Sequence, residues 1–474
     1  MSNRNQRIIR KNAVSVEVLI TPCDNPATDE RLLKRRLGLP EALSMSLSIV
    51  GPSMAMAFNV SLAARFAGRA APLAFAIATI ALGMVAVAFA RFSRRVAHAG
   101  SAYAYIGESF GWRWGFLAGW TLLLTYITYA AGVTALIGNF VQAAVQNYGL
   151  QANRLWFTSS AVGLLLAGVC AYRDVKLAGR MMLVLEALSV AAIVFLSLVI
   201  LRKLAATGKL SIAPLIPTRG IHWSGVGYAL VFCVLSFAGF EAAATLGEET
   251  RNPQRSIPIA ILGTCALAGL FYVFVTYAQV VGFGVDSTND LARTSAPLND
   301  LANKYVSRDF AAVIDLAAAT SAFSCVLGSL SAAARLLFAL GRSGLASGIG
   351  ALHPKHGTPS TAVVLTGLLC LGGLALWAPF AGPADYCGHL LTIGTLALVL
   401  VYMGVNAADL VELLAARRLS WSLCGLDGAG VLLWSLYNSV YPAQDFPNNL
   451  WPYCVGVWVV AGAALSEIRP LDER

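Results

Sequence analysis

The feature that most constrains this chain is that its apolar residues come in runs of about 20, bounded by charged, aromatic or turn-forming residues. At ~1.5 Å of rise per residue, that length matches a hydrocarbon core ~30 Å thick. A large soluble core would be built from shorter, more interrupted stretches. Only 12% of the 474 residues are charged, about half the ~25% of an ordinary soluble domain. In lipid each backbone polar group must find its partner inside the protein, so the expected class is an all-α polytopic membrane protein.

The runs predict twelve spans, at about 43–66, 71–91, 119–146, 154–172, 177–201, 225–247, 257–283, 309–340, 360–380, 386–412, 423–441 and 450–467. Residues 1–40 are rich in Lys and Arg and predict a cytoplasmic tail whose last part lies on anionic lipid headgroups. They lack a short apolar core followed by a small-residue cleavage site, so no cleavable signal peptide is expected. With the N-terminus inside, the segments on the inner side carry more than twice as many Lys and Arg as those outside. That asymmetry puts both termini in the cytoplasm. In the loop 284–308, the order Thr294-Ser295-Ala296-Pro297-Leu298 predicts a short helix capped by a serine.

Two places break the apolar pattern. In the first span, Val50-Gly51-Pro52-Ser53-Met54 puts a proline where it removes a backbone donor. If the helix opens there, its second half begins with free N–H groups and a positive dipole end, which suits a carboxylate. Ser48 and Asn59 lie on the same span. The other reading is a proline kink in an ordinary bundle helix. In the sixth span, Ser236-Phe237-Ala238-Gly239-Phe240-Glu241 sets a glycine beside a carboxylate. Opening at Ala238-Gly239 would free carbonyls able to accept from an ammonium group or bind a cation. The alternatives are close helix packing for Gly239 and a structural hydrogen bond for Glu241. An ionisable group at membrane depth is a functional-site candidate, so Glu241 and Glu186 are candidate coupling residues. Asp315 reads as a polar contact at a helix end. Interruptions five spans apart point to a five-plus-five inverted repeat with a site between its halves.

Other chemistry finds no pattern. The nine cysteines are scattered without Cys-x-x-Cys spacing, and none of the five histidines has a carboxylate at ligand spacing. Neither metal, cofactor nor enzymatic activity is expected, and the net charge of +10 sits at helix ends rather than in a nucleic-acid groove.

Several fragments, in order over about 40–440, resemble the amino acid–polyamine–organocation permeases: Ala99-Gly100-Ser101-Ala102-Tyr103, Gly119-Trp120, Ser236 to Glu241, Glu249-Thr250-Arg251-Asn252-Pro253, and Arg335 to Arg342 with His353-Pro354 and Thr358-Pro359. The resemblance implies a LeuT-like fold of twelve helices, with helices one and six discontinuous and alternating access around them. It implies a core over 41–415, with inverted repeats at about 43–201 and 225–412, and two further helices over 416–474. In the family a Gly-x-Gly on helix one holds the substrate carboxylate by its amides. Here the stretch is Gly51-Pro52-Ser53, in which the middle residue has lost its N–H and Ser53 Oγ offers a donor in exchange. The carbonyls of Phe237 and Ala238 would hold the amine. The position of an aromatic gate is Leu235. A coupling lysine found in some members falls on Ser189, one turn after Glu186.

The function this implies is a secondary transporter of an amino acid across a bacterial inner membrane, as a proton symporter. Sodium coupling, an amino acid exchanger and a polyamine or amine carrier are the alternatives from the same class, and a channel or sensor the alternative from another.

Overall fold

The computed structural model describes residues 37–467, apart from 151–153, 174, 217–222, 343–349, 351, 354–356, 378–379, 418 and 442–445. The basic tail over 1–36 and the last seven residues lie outside the described residues, as do His222, Pro354 and His356.

The described residues form an all-helical bundle. The first apolar run contains α1 (Leu39–Val50), α2 (Pro52–Ala67) and α3 (Ala71–Ser93). A short α4 (Ala102–Phe110) leads into α5 (Trp112–Gln146), then α6 (Leu155–Arg173) and α7 (Val175–Ala206). The second half opens with α8 (Trp223–Ser236), a 3-10 turn over Ala242–Leu246, and α9 (Pro253–Phe283). Two short helices follow, α10 (Thr288–Arg293) and α11 (Pro297–Tyr305). Then come α12 (Arg308–Arg342), α13 (Ser360–Trp377), α14 (Pro383–Ala415), α15 (Leu419–Val440) and α16 (Trp451–Glu467).

Among the described residues, nine stretches are helical, long and apolar enough to cross a membrane. One of them, Leu39–Ser93, is 55 residues long. That length corresponds to about 80 Å of helix, far more than a bilayer needs, so it holds more than one crossing.

Burial follows from position. The centre is α5 and α12, each 35 residues long and packed on one another. The run of Ala, Ser and Gly along α12 keeps its surface low enough for neighbours to approach closely. Helix α5 also packs on α14, where Thr125 Oγ1 donates to the Gly394 carbonyl at 3.0 Å. It is tied to α16 by Trp120 and Trp458, whose rings stack with centroids 4.5 Å apart. Each indole N–H donates to the other tryptophan's carbonyl. In contrast, α6, α13 and α16 expose Leu165, Leu166, Leu368, Leu369, Val457 and Val460. An apolar outer face suits a surface that meets hydrocarbon rather than water.

Two expectations are corrected. The helix at 225–247 stops at Ser236, and tight turns replace it up to Gly247. The opening is therefore wider than one peptide at Gly239. In the 284–308 loop the helix starts at Pro297, but no side chain caps it, and Thr294 Oγ1 instead accepts the Ala296 N–H at 3.1 Å. That bond turns the chain ahead of the helix and does not cap it.

Candidate substrate site

A helix interrupted inside a bundle leaves amides on one side and carbonyls on the other, and each needs a partner. The two interruptions lie against each other. Gly239 has φ 99°, and a Cβ built on it would fall 2.2 Å from Ile49 Cγ2, just before the first break. Asn59 Nδ2 also donates to Ser236 Oγ at 2.8 Å, joining α2 to the end of α8.

The first break follows from local sequence. Gly51 adopts the left-handed conformation (φ 50°, ψ 60°), and its N–H closes α1 on the Leu47 carbonyl at 2.9 Å. Pro52 then starts α2 without an N–H to offer. Ala55 N–H bonds back to the Gly51 carbonyl at 2.8 Å, which leaves Ser53 and Met54. Ser53 N–H donates to Glu186 Oε1 at 2.9 Å, and Met54 N–H donates to Ser321 Oγ at 3.2 Å. Thus α7 and α12 fill the amides expected to hold a substrate carboxylate. Val50 and Met54 are buried beside them, and Cys325 of α12 donates to the Ile49 carbonyl at 3.0 Å. Ser53 Oγ is buried and makes no hydrogen bond.

The second break depends on distant side chains. Tyr129 of α5 donates to the Leu235 carbonyl at 3.0 Å and Tyr272 of α9 to the Ser236 carbonyl at 2.6 Å. Ser46 of α1 donates to the Phe240 carbonyl at 2.7 Å and accepts the Ala243 N–H at 3.0 Å. The Phe237 carbonyl accepts the Phe240 N–H at 3.2 Å, inside the turn. Phe237 stands edge-on to Tyr272 at 5.0 Å, and Phe240 packs on Tyr402 at 5.2 Å, so aromatic rings wall the opening.

Glu241 is fully buried and accepts three hydrogen bonds: Tyr126 at 2.9 Å, Tyr402 at 2.6 Å and the Gly239 N–H at 3.2 Å. Its carboxylate ties the break to α5 and α14. Ser189 shares its hydroxyl between the Leu185 and Ala317 carbonyls at 2.9 and 3.2 Å, joining α7 to α12 one turn from Glu186. Asp315 lies apart from both breaks and accepts from Asn299 and Asn147, joining α12 to α11 and to the end of α5.

Sequence reasoning missed the groups that close the site: Ser46, Tyr126, Tyr129, Tyr272, Ser321 and Tyr402. The one available signal was hydroxyl groups at helical spacing on otherwise apolar runs, as at Tyr126 and Tyr129.

Beyond the second break an ion-pair cluster ties the loop to α12. Glu249 and Arg335 pair through two contacts, at 2.5 and 3.3 Å, and Glu248 pairs with Arg342 at 2.6 Å. Glu248 also accepts the Ala99 N–H at 3.1 Å, and His98 Nε2 lies 3.9 Å from it. Burial pushes the Glu248 carboxyl up, but His98, Arg342 and that amide outweigh it and hold it below the usual range. Burial holds His98 below the usual histidine range, against the pull of Glu248 and with a further push from Arg342.

Comparison with known proteins gives one consistent picture. A family model described as amino acid permease matches residues 43–431. The branched-chain amino acid permease BcaP of Lactococcus lactis subsp. cremoris (strain MG1363) is 28% identical over 362 residues, covering 72% of this chain and 75% of that protein. The methylthioribose transporter of Bacillus subtilis (strain 168) is 26% identical over 425 residues, covering 85% and 86%. The low-affinity putrescine importer PlaP of Escherichia coli (strain K12) is 28% identical over 362 residues, covering 73% and 76%.

Proposed function

The chain belongs to the amino acid permease family, and from that premise we propose that it is a secondary transporter that carries an amino acid across a bacterial inner membrane by alternating access, coupled to protons. The observation that carries this reading is the contact between two interrupted helices, Ile49 against Gly239, with α2 amides on one side and the carbonyl end of α8 on the other. That polarity matches a zwitterion. In this reading α1–α2 form the first crossing, and α8 with its turns forms the sixth. The helices from α1 to α7 and from α8 to α14 are two inverted repeats, α15 and α16 complete twelve crossings, and both ends face the cytoplasm. Substrate seated between the breaks favours one access state over the other, as transport requires. Glu241 and Glu186 are the buried carboxylates available to carry a proton.

The test is uptake into proteoliposomes. Purified protein should accumulate a labelled amino acid when a pH gradient, acidic outside, is imposed. Accumulation indifferent to the gradient would remove proton coupling, and accumulation driven by a sodium gradient would replace it.

A second reading has a specific observation behind it. Each break carries a carboxylate on a backbone amide, Glu186 at the first and Glu241 at the second, and two anions suit a cationic amine. Competition of labelled amino acid uptake by putrescine separates the two readings.

A further inference from the structure

The amides at the start of α2 are already occupied. Pro52 has none, Met54 N–H is held by Ser321, and Ser53 N–H is held by Glu186. The seat expected for a substrate carboxylate therefore holds a carboxylate of the protein's own. Glu186 reaches it from α7 and is 4% exposed. Two buried polar atoms beside the contact make no hydrogen bond: Glu186 Oε2 and Ser53 Oγ. That distinguishes Glu186 from Glu241, whose two oxygens share three donors. A carboxylate kept only to close a helix end would be expected to saturate both oxygens, because each buried acceptor left open is destabilising. This one has a single contact of full hydrogen-bond geometry, the Ser53 N–H, with the Ser53 and Ser321 hydroxyls close enough to stabilise it but not seated on it.

We propose that Glu186 is a resident stand-in for the substrate carboxylate, that an amino acid binds by taking Ser53 N–H and Ser53 Oγ in exchange for it, and that Glu186 thereby sets the selectivity between amino acids and amines without a carboxylate. This rests on the amino acid reading above. The exchange keeps the start of α2 partnered throughout, since one anion replaces another on the Ser53 N–H. It also makes the resident anion a competitor. A ligand with a carboxylate must displace Glu186 and then sit beside its charge. A ligand with only an ammonium group meets no competition and gains from the same charge. Removing the charge should therefore move the two ligand classes in different directions, which loss of a merely structural bond would not do.

The experiment is equilibrium binding to purified full-length protein. Each of the twenty amino acids is screened, and the tightest binder is compared with its own decarboxylated amine. In Glu186→Gln the amino acid should bind about five- to tenfold tighter, because a neutral amide oxygen competes less well than a carboxylate for the Ser53 N–H. The amine should bind no tighter. Glu186→Asp keeps the charge but is one methylene too short to reach the amide. It should also tighten amino acid binding, and it serves if the glutamine variant does not fold. Equal changes for both ligands, or weaker amino acid binding in both variants, would overturn the exchange while leaving the amino acid reading intact. Weaker amine binding in Glu186→Gln with amino acid binding unchanged would make Glu186 a direct amine ligand and overturn it too. If no amino acid binds wild type or variant, the amino acid reading falls and takes the exchange with it.

Discussion

The two helix interruptions solve the same problem with different partners. At Gly51 the chain breaks because of its own residues: glycine takes the left-handed turn and proline removes a donor. What remains open there is two amides, and they are held by one carboxylate oxygen and one hydroxyl. At Ser236 to Glu241 no proline intervenes. The helix ends where tyrosines from α5 and α9 draw off the Leu235 and Ser236 carbonyls, and Glu241 is clamped by Tyr126, Tyr402 and the Gly239 amide. The first break is fixed locally and loosely held by its neighbours. The second is fixed by its neighbours and tightly held. On the alternating-access reading proposed above, the loosely held end is where a ligand would enter the hydrogen-bonding pattern. On the same reading, the clamped end would pass movement of one helix to α5 and α14, which hold it.

The largest effect that could break this comparison is steric. Gly239→Ala would place a methyl 2.2 Å from Ile49 Cγ2, on a backbone with φ 99°. Ile49 is branched at that point and lies against the first break, so it cannot swing away. The substitution should cost more than about 2 kcal/mol of stability and remove transport. Gly51→Ala is tight only against the flexible end of Met54, at 3.2 Å, with Cys325 and Ser321 at ordinary contact, in a left-handed conformation that costs about 1–2 kcal/mol for a side chain. Thermal denaturation of the two variants side by side should rank Gly239→Ala as the less stable. The reverse order would mean that the breaks do not meet as described.

A smaller effect tests the clamp. Tyr402→Phe removes one of the three donors to Glu241 and leaves the ring packed on Phe240 and Phe89. A hydrogen bond to a charged group is worth about 1.5–3 kcal/mol. The variant should keep substrate binding within about threefold, because the α2 amides are untouched, while gradient-driven uptake drops about tenfold or more. If affinity fell as far as uptake, Glu241 would belong to the substrate seat and the two breaks would not differ in kind.

How much of this was legible in the sequence follows the same division. Helix positions were readable because lipid-length apolar runs are a one-dimensional signal, and the first break was readable because glycine and proline act on their own backbone. The start of the second break at Ser236 was not, since it depends on Tyr129 and Tyr272, 106 and 36 residues away from the carbonyls they take. Glu186 was recognised as costly at membrane depth, but its partner lies 133 residues away at Ser53, and spacing along one helix carries no information about that. The serine cap expected at Ser295 did not form: the residue at the helix start is Ala296, which has no polar side chain to cap with, and Thr294 accepts its N–H in a turn just ahead. Glu249 and Arg335 were singled out as family fragments, yet only the fold shows that they are partners.

The smallest effect sharpens the comparison by separating the breaks from the ion-pair cluster beside them. The Gly100 N–H donates to His98 Nδ1 at 2.9 Å, which places the neutral imidazole's proton on Nε2, facing Glu248. Because the folded pKa of His98 lies below its value of 6.5 in the unfolded chain, the unfolded chain binds the proton first as pH falls. The contribution of His98 to stability is therefore complete above about 6.5 and declines as the pH drops below that. Glu248, held below 4.5, has the same sign in a lower window: its contribution is present above about 4.5 and is lost as the pH falls further. Between pH 6.5 and 5 the histidine acts alone within the cluster. His98→Gln should flatten that part of the melting-temperature profile by the equivalent of about 1 kcal/mol or less, since the ring is partly exposed. Below pH 4.5 the wild-type slope should persist. If the variant and wild type follow the same curve from 6.5 to 5, the acid response in that range does not arise at His98.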